Sequence, residues 1–229
     1  MALKSIKAER RRLADEVYQQ ILGAILNNEL GQNDRLVQEK LAAELQISRT
    51  PVREALLRLE QDGILVTSPR GGFVLHHMSE VEVEELYQAR AAVEGQAVRI
   101  LATHNDPKVN AGLRATIEEE ENITSQTVGA YFEANRNIHR RIVELCQNRY
   151  LLEMFDNIWN RAISFHLFAA IEKVDLSKSL GDHMQLVDAI ETGDPRHAED
   201  AIINHIAEGF ELQIEALAPH EDVDLPAAT

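Results

Sequence analysis

Three histidines and one asparagine have the residue types and spacing that could bind a divalent metal ion. Asn135 and His139 are four residues apart, which places them on one face of a predicted helix. His183 lies near the start of a later predicted helix, and His205 lies midway along the last one. Three imidazole nitrogens and one oxygen could surround a metal and leave positions open for water or a ligand. A histidine on a helix is more often an ordinary core or surface residue, so the spacing leaves both interpretations open.

Two arginines at the start of another predicted helix could contact DNA. Arg49 and Arg53 are four residues apart and share one face. The opposite face carries the apolar side chains of Val52, Leu56 and Leu59. The helix dipole disfavours positive charge at this end, and contacts with phosphates or guanine edges would offset that cost. Ser48 or Thr50 is expected to cap the helix, and Pro51 suits its first turn. The alternative to DNA reading is a solvated basic face.

The elements around these arginines follow the order of a winged helix-turn-helix domain. Apolar residues at helical spacing predict helices at 10–28, at 37–45, and from the turn after residue 45 through Asp62. Two β-prone runs, 64–67 and 73–75, flank a turn rich in proline and glycine, which predicts a hairpin. We therefore expect a winged helix-turn-helix DNA-binding domain over residues 1–76.

The rest of the chain shows only helical periodicity and predicts an all-helical bundle over residues 79–216. Asp-Pro pairs and Asn148 separate the helices, because Asp caps a helix and Pro suits its first position. Six helices are expected, at 79–103, 106–123, 126–147, 149–172, 177–192 and 195–216. The fold class is thus mainly α, and the tail at 217–229 is expected to be disordered.

The charge is divided unevenly between the two halves of the chain. The net charge is −15, yet residues 1–78 carry 11 Lys and Arg against 10 Asp and Glu. The acidity therefore lies almost wholly in the second half, and it does not exclude DNA binding by the first. Acidic runs such as residues 118–121 are expected to be a solvated helix face.

Composition also excludes several classes of protein. The longest apolar runs are shorter than the 18 residues that a membrane span needs, and the N-terminus lacks the apolar stretch of a secretory signal. The single cysteine, Cys146, cannot form an intrachain disulfide and is expected to be a buried small residue. We therefore expect a cytoplasmic location and no membrane partner.

The first 76 residues resemble the GntR family of bacterial regulators. The resemblance is carried by the central run Ser48-Arg49-Thr50-Pro51-Val52-Arg53-Glu54-Ala55-Leu56, and by Asp34-Arg35-Leu36, Leu59-Glu60, Asp62-Gly63 and the wing Arg70-Gly71-Gly72-Phe73-Val74. It implies DNA contacts from Arg35, Arg49, Thr50 and Arg53, with Ser48 in the same run. It also implies that Gly72 approaches the minor groove, where a side chain would clash. At residues 31–34 the usual Pro-Gly turn of the family is absent.

Residues 79–216 resemble the FCD ligand-binding domain of the FadR subfamily, and six helices resemble its VanR-type branch. The matching residues are Leu86-Tyr87-Gln88-Ala89-Arg90 with Glu94, Asn135-Arg136-Asn137-Ile138-His139, Asp182-His183, Gly193-Asp194 and Asn204-His205-Ile206. The resemblance implies Asn135, His139, His183 and His205 as ligands of zinc, nickel or manganese. Asn in place of the Asp found in other members makes the site less negative.

A metal site of this kind implies an anionic effector. Arg90 lies beside an apolar stripe and is predicted to bind a small carboxylate, or alternatively to form a structural salt bridge with Glu94. Arg161 and His166 are predicted to line the same cavity, with packing roles as their alternative. The resemblance further implies a homodimer on a palindromic operator, with repression relieved by the effector.

Two other functions fit parts of the pattern. A metal-free sensor of the same architecture would bind the effector directly through its histidines. A helical metallohydrolase would need a general acid or base beside the metal. We find no paired carboxylates or Ser or Cys nucleophile at suggestive spacing, and the DNA-reading module would have no purpose. We therefore predict a regulator rather than an enzyme.

Overall fold

The computed structural model describes residues 9–26, 29–30, 34–76, 78–122, 128–159 and 181–217. Contacts divide the chain into a first compact unit, built mainly from residues up to Ser79, and a second unit that begins at Glu80. Arg161, His166 and the second half of the helix predicted at 149–172 lie outside the described residues, as does most of the predicted tail.

The first unit contains three helices and a two-stranded hairpin. They are α1 (Glu9–Leu26), α2 (Gln38–Glu44), α3 (Arg49–Gln61), β1 (Leu65–Thr67) and β2 (Phe73–Leu75). The strands are antiparallel, with Leu65 opposite Leu75. Leu36 pairs with Phe73 of β2 as an isolated antiparallel bridge. Each residue donates its N–H to the carbonyl oxygen of the other, over 2.8 Å from Leu36 and 2.9 Å from Phe73. This arrangement confirms the predicted winged helix-turn-helix fold.

The apolar face of α3 forms the centre of this unit. Its buried apolar side chains include those of Val52, Ala55, Leu56 and Leu59, and they join a core that includes Ile21 and Ile25 of α1. Burial of each large aliphatic side chain stabilises the fold by about 1.5–3 kcal/mol. Because this face is buried, Arg49 and Arg53 lie on the exposed side of the helix, as predicted.

The ends of α3 follow the sequence prediction only in part. Gly63 ends the helix with a φ of 75°, the left-handed conformation that suits glycine. Ser48 lies at the N-cap position, but its side chain makes no capping hydrogen bond, so the expected bond there is wrong. Thr50 lies inside the first turn instead of before it.

The described part of the second unit consists of helices. They are α4 (Glu80–His104), α5 (Pro107–Glu121), α6 (Val128–Leu145), α7 (Arg149–Trp159), α8 (His183–Glu191) and α9 (Pro195–Leu217). Their predicted starts hold at three places, since Asp106, Asn148 and Asp194 each accept hydrogen bonds from backbone N–H groups of the following turn. This confirms the mainly α fold class.

The start of α8 differs from the prediction. That helix was expected from residue 177, but Gly181 and Asp182 are not helical and α8 begins at His183. Asp182 adopts a left-handed conformation with a φ of 71°, which a continuous α-helix cannot contain. The consequence is that His183 is the first residue of its helix.

Helices α4 and α9 run antiparallel and bring distant residues together. Near one end Arg99 pairs with Glu199, and further along the Tyr87 hydroxyl donates to the Gly209 carbonyl over 3.2 Å. Cys146 is buried, as predicted, and burial raises the pKa of its thiol. Among the described residues, helices long and apolar enough to cross a lipid bilayer are absent.

Candidate metal centre and DNA-reading surface

The three histidines predicted as metal ligands converge in the core of the second unit. His139 lies on α6, His183 begins α8 and His205 lies on α9. Their candidate ligand atoms all lie within 4.8 Å of one another. The Nε2 atom of His139 is 3.4 Å from that of His183 and 3.3 Å from that of His205. Three imidazole nitrogens this close are spaced as they would be around one cation.

Asn135 lies beside the three rings. Its Oδ1 atom is 3.1 Å from Nε2 of His183, and its side chain is buried. It lies one turn before His139 on α6, so the predicted i, i+4 pair does share a face. All four residues predicted to bind the metal are therefore together, and they would offer three nitrogens and one amide oxygen.

The far nitrogens of two rings face carboxylates. Nδ1 of His139 is 2.5 Å from Oε2 of Glu94 on α4. Nδ1 of His183 is 3.4 Å from Oε1 of Glu121, the last residue of α5. A carboxylate on one ring nitrogen holds a proton there and leaves the other nitrogen free to bind a metal. This donor set fits a divalent metal.

Burial keeps the rings of His139 and His205 in their neutral form. It lowers the pKa of His139 to about 4, although the carboxylate of Glu94 works in the opposite direction. Burial, together with the neighbouring His139 and His183, also lowers the pKa of His205 well below its ordinary value. Neutral imidazole is the form that binds metal, so both residues are ready to bind near neutral pH.

Arg90 takes the structural role that the sequence left open. Its Nε donates to Oε1 of Glu94 over 3.1 Å, and both side chains are buried. Burial alone would raise the pKa of Glu94, but contacts with His139 and Arg90 hold it below its ordinary value. A contact between Arg90 and an effector stays a prediction, as do the roles of Arg161 and His166.

Sequence reasoning missed the position of Glu121 beside His183. The acidic run at 118–121 was expected to be a solvated face, yet the Oε1 atom of Glu121 is buried beside His183. A signal was present, because Leu113 and Ile117 form a buried stripe and Glu121 continues it at the next i+4 position. The prediction of a solvated face is wrong for this residue.

The predicted DNA-contacting residues lie on the first unit, and four of them are exposed: Arg35, Ser48, Arg49 and Arg53. Arg49 forms an ion pair of 2.7 Å with Glu39 at the start of α2. Arg35 donates to the backbone carbonyl of Arg70 in the wing over 2.6 Å. Such exposed contacts contribute little to stability, so DNA can replace them at small cost. DNA contact by these residues stays a prediction.

Gly72 is required by the protein itself. Its φ is 75°, and a Cβ atom there would lie 2.6 Å from the carbonyl oxygen of Leu36. That oxygen accepts the hydrogen bond from the Phe73 N–H group that joins the wing to Leu36. A clash with DNA is therefore not needed to explain a glycine at this position.

We expect Gly72→Ala to lower the free energy of unfolding of the first unit by about 1–3 kcal/mol, because it adds a steric clash to a strained backbone. Gly71→Ala is the matched control, since its φ is 80° but a Cβ there meets nothing within 4 Å. Denaturant unfolding of the full chain measures both. An equal loss of stability in the two variants would contradict the steric role of Leu36.

Comparison with known proteins agrees with both halves of this description. Residues 13–75 match the model described as bacterial regulatory proteins, gntR family. Residues 85–208 match the model of the FCD domain, which spans more than half of the chain. This chain belongs to the GntR family and carries an FCD domain. A GntR-family protein with this architecture is a DNA-binding transcription regulator, not an enzyme.

Several curated relatives of this GntR-family protein are regulators of operons. It is 29% identical over 208 residues to the "Probable D-xylose utilization operon transcriptional repressor" of Paenarthrobacter nicotinovorans, covering 90% of this chain and 91% of the relative. It is 27% identical to the Uxu operon transcriptional regulator of Escherichia coli K12, covering 86% and 84%. The Nta operon transcriptional regulator of Aminobacter aminovorans is 34% identical, covering 56% of this chain and 61% of the relative.

Solved structures of GntR-type regulators share the fold. One from Rhodococcus sp. RHA1 superposes with a TM-score of 0.68 at 20% identity, covering 90% of this chain and 99% of that one. Escherichia coli McbR/YncC superposes with a TM-score of 0.64 at 21% identity, covering 89% and 97%. At this level of identity the likeness concerns the fold.

Proposed function

We propose that this protein is a transcriptional repressor whose affinity for operator DNA is controlled by a small organic acid bound at a metal ion. The observation that carries the proposal is the convergence of the Nε2 atoms of His139, His183 and His205 in the core of the FCD domain. The repressor direction is supported by the name of the Paenarthrobacter relative.

The metal in this proposal is zinc, nickel or manganese, held by the three histidines and Asn135. Imidazole suits zinc and nickel well, whereas manganese depends more on oxygen donors. When bound, the metal supplies a positive charge with coordination positions that protein side chains do not fill, which suits a carboxylate. Arg90, Arg161 and His166 are proposed to contact the effector near it.

Control of DNA binding requires two states of the protein. We propose a homodimer that places two α3 helices in successive major grooves of a palindromic operator. One state binds operator DNA and the other does not. The effector binds the two states with different affinities, and this difference sets how far it changes the affinity for the operator. Release of the operator on effector binding is the direction that we expect.

A screen of small carboxylates by thermal shift tests the effector class. Sugar acids, dicarboxylates, hydroxy acids and aromatic acids are added to the purified protein with and without zinc. One class should raise the melting temperature only with metal, since a ligand at 100 times its Kd stabilises by about 2.7 kcal/mol. The His183→Ala variant serves as the control and should show no such rise.

The outcomes of this screen separate the remaining possibilities. A rise of the same size after chelation would favour the metal-free sensor. Lack of any rise, with metal shown to be bound by elemental analysis, would mean that the metal is structural or that the effector is not a carboxylate.

A further inference from the structure

We propose that Glu94 and Glu121 form an outer pair of carboxylates that orients His139 and His183 toward the metal, and that Glu121 supplies the negative charge that Asn135 lacks. This inference rests on the metal site of the proposed function. Neither carboxylate is among the four predicted ligands, and they come from two different helices, α4 and α5.

The orientation of the two rings is the first argument. In His139 and in His183 alike, Nδ1 faces a carboxylate and Nε2 faces the cluster. An Nδ1–H group that donates a hydrogen bond to a carboxylate keeps its proton, so the lone pair lies on Nε2, which is the nitrogen that faces the cluster. Because His139 and His183 share this orientation, we infer that the carboxylates hold both rings with Nε2 toward the cluster.

The burial of the Glu121 oxygen is the second argument. Oε1 of Glu121 is buried and has no hydrogen-bond partner among the described residues. A buried carboxylate oxygen without a partner destabilises the fold, because the solvation that it loses is not replaced. The 3.4 Å to Nδ1 of His183 is slightly too long for a good hydrogen bond. A cation on Nε2 would polarise the Nδ1–H group of His183 and strengthen its hydrogen bond to Oε1 of Glu121. The buried oxygen would then have a partner.

The charge of the donor set is the third argument. Three neutral imidazoles and an amide bring no negative charge to a divalent cation, whereas an Asp at position 135 would bring one. Arg90 lies against Glu94 and offsets its charge. Among the contacts described for Glu121 there is no arginine or lysine to offset its charge as Arg90 does for Glu94. The charge of Glu121 therefore acts mainly on His183. Glu121 is thus a positioning residue for the site, with Glu94 as its counterpart on His139.

Zinc affinity of Glu121 variants tests the proposal, measured on the full chain by competition with a chromophoric chelator. We expect Glu121→Ala to weaken zinc binding by about 10–100-fold, the usual effect of losing such an outer partner. Glu121→Gln retains an acceptor oxygen and should recover part of that loss. Glu119→Gln is the matched control, because it removes the same charge from an exposed position of the same helix and should bind zinc as the wild type does.

A second readout distinguishes orientation from general destabilisation. In zinc-loaded protein with 15N-labelled histidine, NMR should show His139 and His183 bound through Nε2 and protonated at Nδ1. In Glu121→Ala the Nδ1 proton of His183 should exchange faster, while that of His139 stays protected.

Two results would overturn the proposal: wild-type zinc affinity in Glu121→Ala, or coordination of His183 through Nδ1. Failure of the wild type itself to bind zinc would instead overturn the metal site of the proposed function, and the inference with it. The wild-type titration therefore tells the two failures apart.

Discussion

Replacement of His183 by alanine should weaken metal binding by more than about 100-fold, because loss of an outer partner alone typically costs 10–100-fold. His183 is fully buried, and its Nε2 is the atom that contacts both Asn135 and His139. Its removal takes away one of three nitrogen donors. Elemental analysis of the purified variant and a competitive zinc titration measure the effect.

His197→Ala is the control for this experiment. His197 is exposed on α9 and lies outside the cluster of three histidines. It should bind metal like the wild type, and circular dichroism should show that both variants stay helical. Full metal occupancy in His183→Ala would remove that residue from the site.

Replacement of Arg53 by alanine should weaken operator binding by about 1–3 kcal/mol if this side chain reads a base edge. Arg53 is exposed on α3, opposite the buried face that holds the helix in place. The truncation should therefore change DNA contact with little effect on the fold. The operator is first selected from a random DNA library, and fluorescence anisotropy then gives the affinity at several salt concentrations.

Arg58→Ala supplies a control on the same helix. It removes the same charge, but Arg58 lies against α1 through Asp15 and the ring of Tyr18. Its operator affinity should stay near the wild-type value, with melting temperature as the check on folding. For Arg53, a uniform loss over all sequences with a smaller salt slope would indicate a phosphate contact. Unchanged affinity would contradict a DNA contact by Arg53.

Much of the fold could be predicted because its signals are local. The apolar positions Val52, Leu56 and Leu59 recur at helical spacing, and the structure buries all three. Asp106 and Asp194 cap their helices as expected, since a cap depends only on the next few residues. The errors are also local choices. Ser48 has the right type for a cap but makes no capping bond, and a left-handed Asp182 delays the start of α8.

The candidate site could be predicted in its members but not in its arrangement. Residue type and a family resemblance were enough to select Asn135, His139, His183 and His205. Neither could decide whether Arg90 forms a salt bridge with Glu94 or binds the effector, because both contacts use the same guanidinium group. Neither could tell that the acidic run at 118–121 places one buried carboxylate oxygen beside His183.

The sequence by itself determined the winged helix-turn-helix plan, the helical second half and the exposed arginines of α3. It also determined which histidines are available to bind a metal. Tertiary structure alone decided that His139 contacts His205, which is 66 residues further along the chain. It also decided that Nε2 is the nitrogen facing the cluster, and that Glu94 and Glu121 contact Nδ1 of His139 and of His183. The physical reason is that helical periodicity acts over three or four residues. The meeting of α4, α5, α6, α8 and α9 depends instead on how complete helices pack.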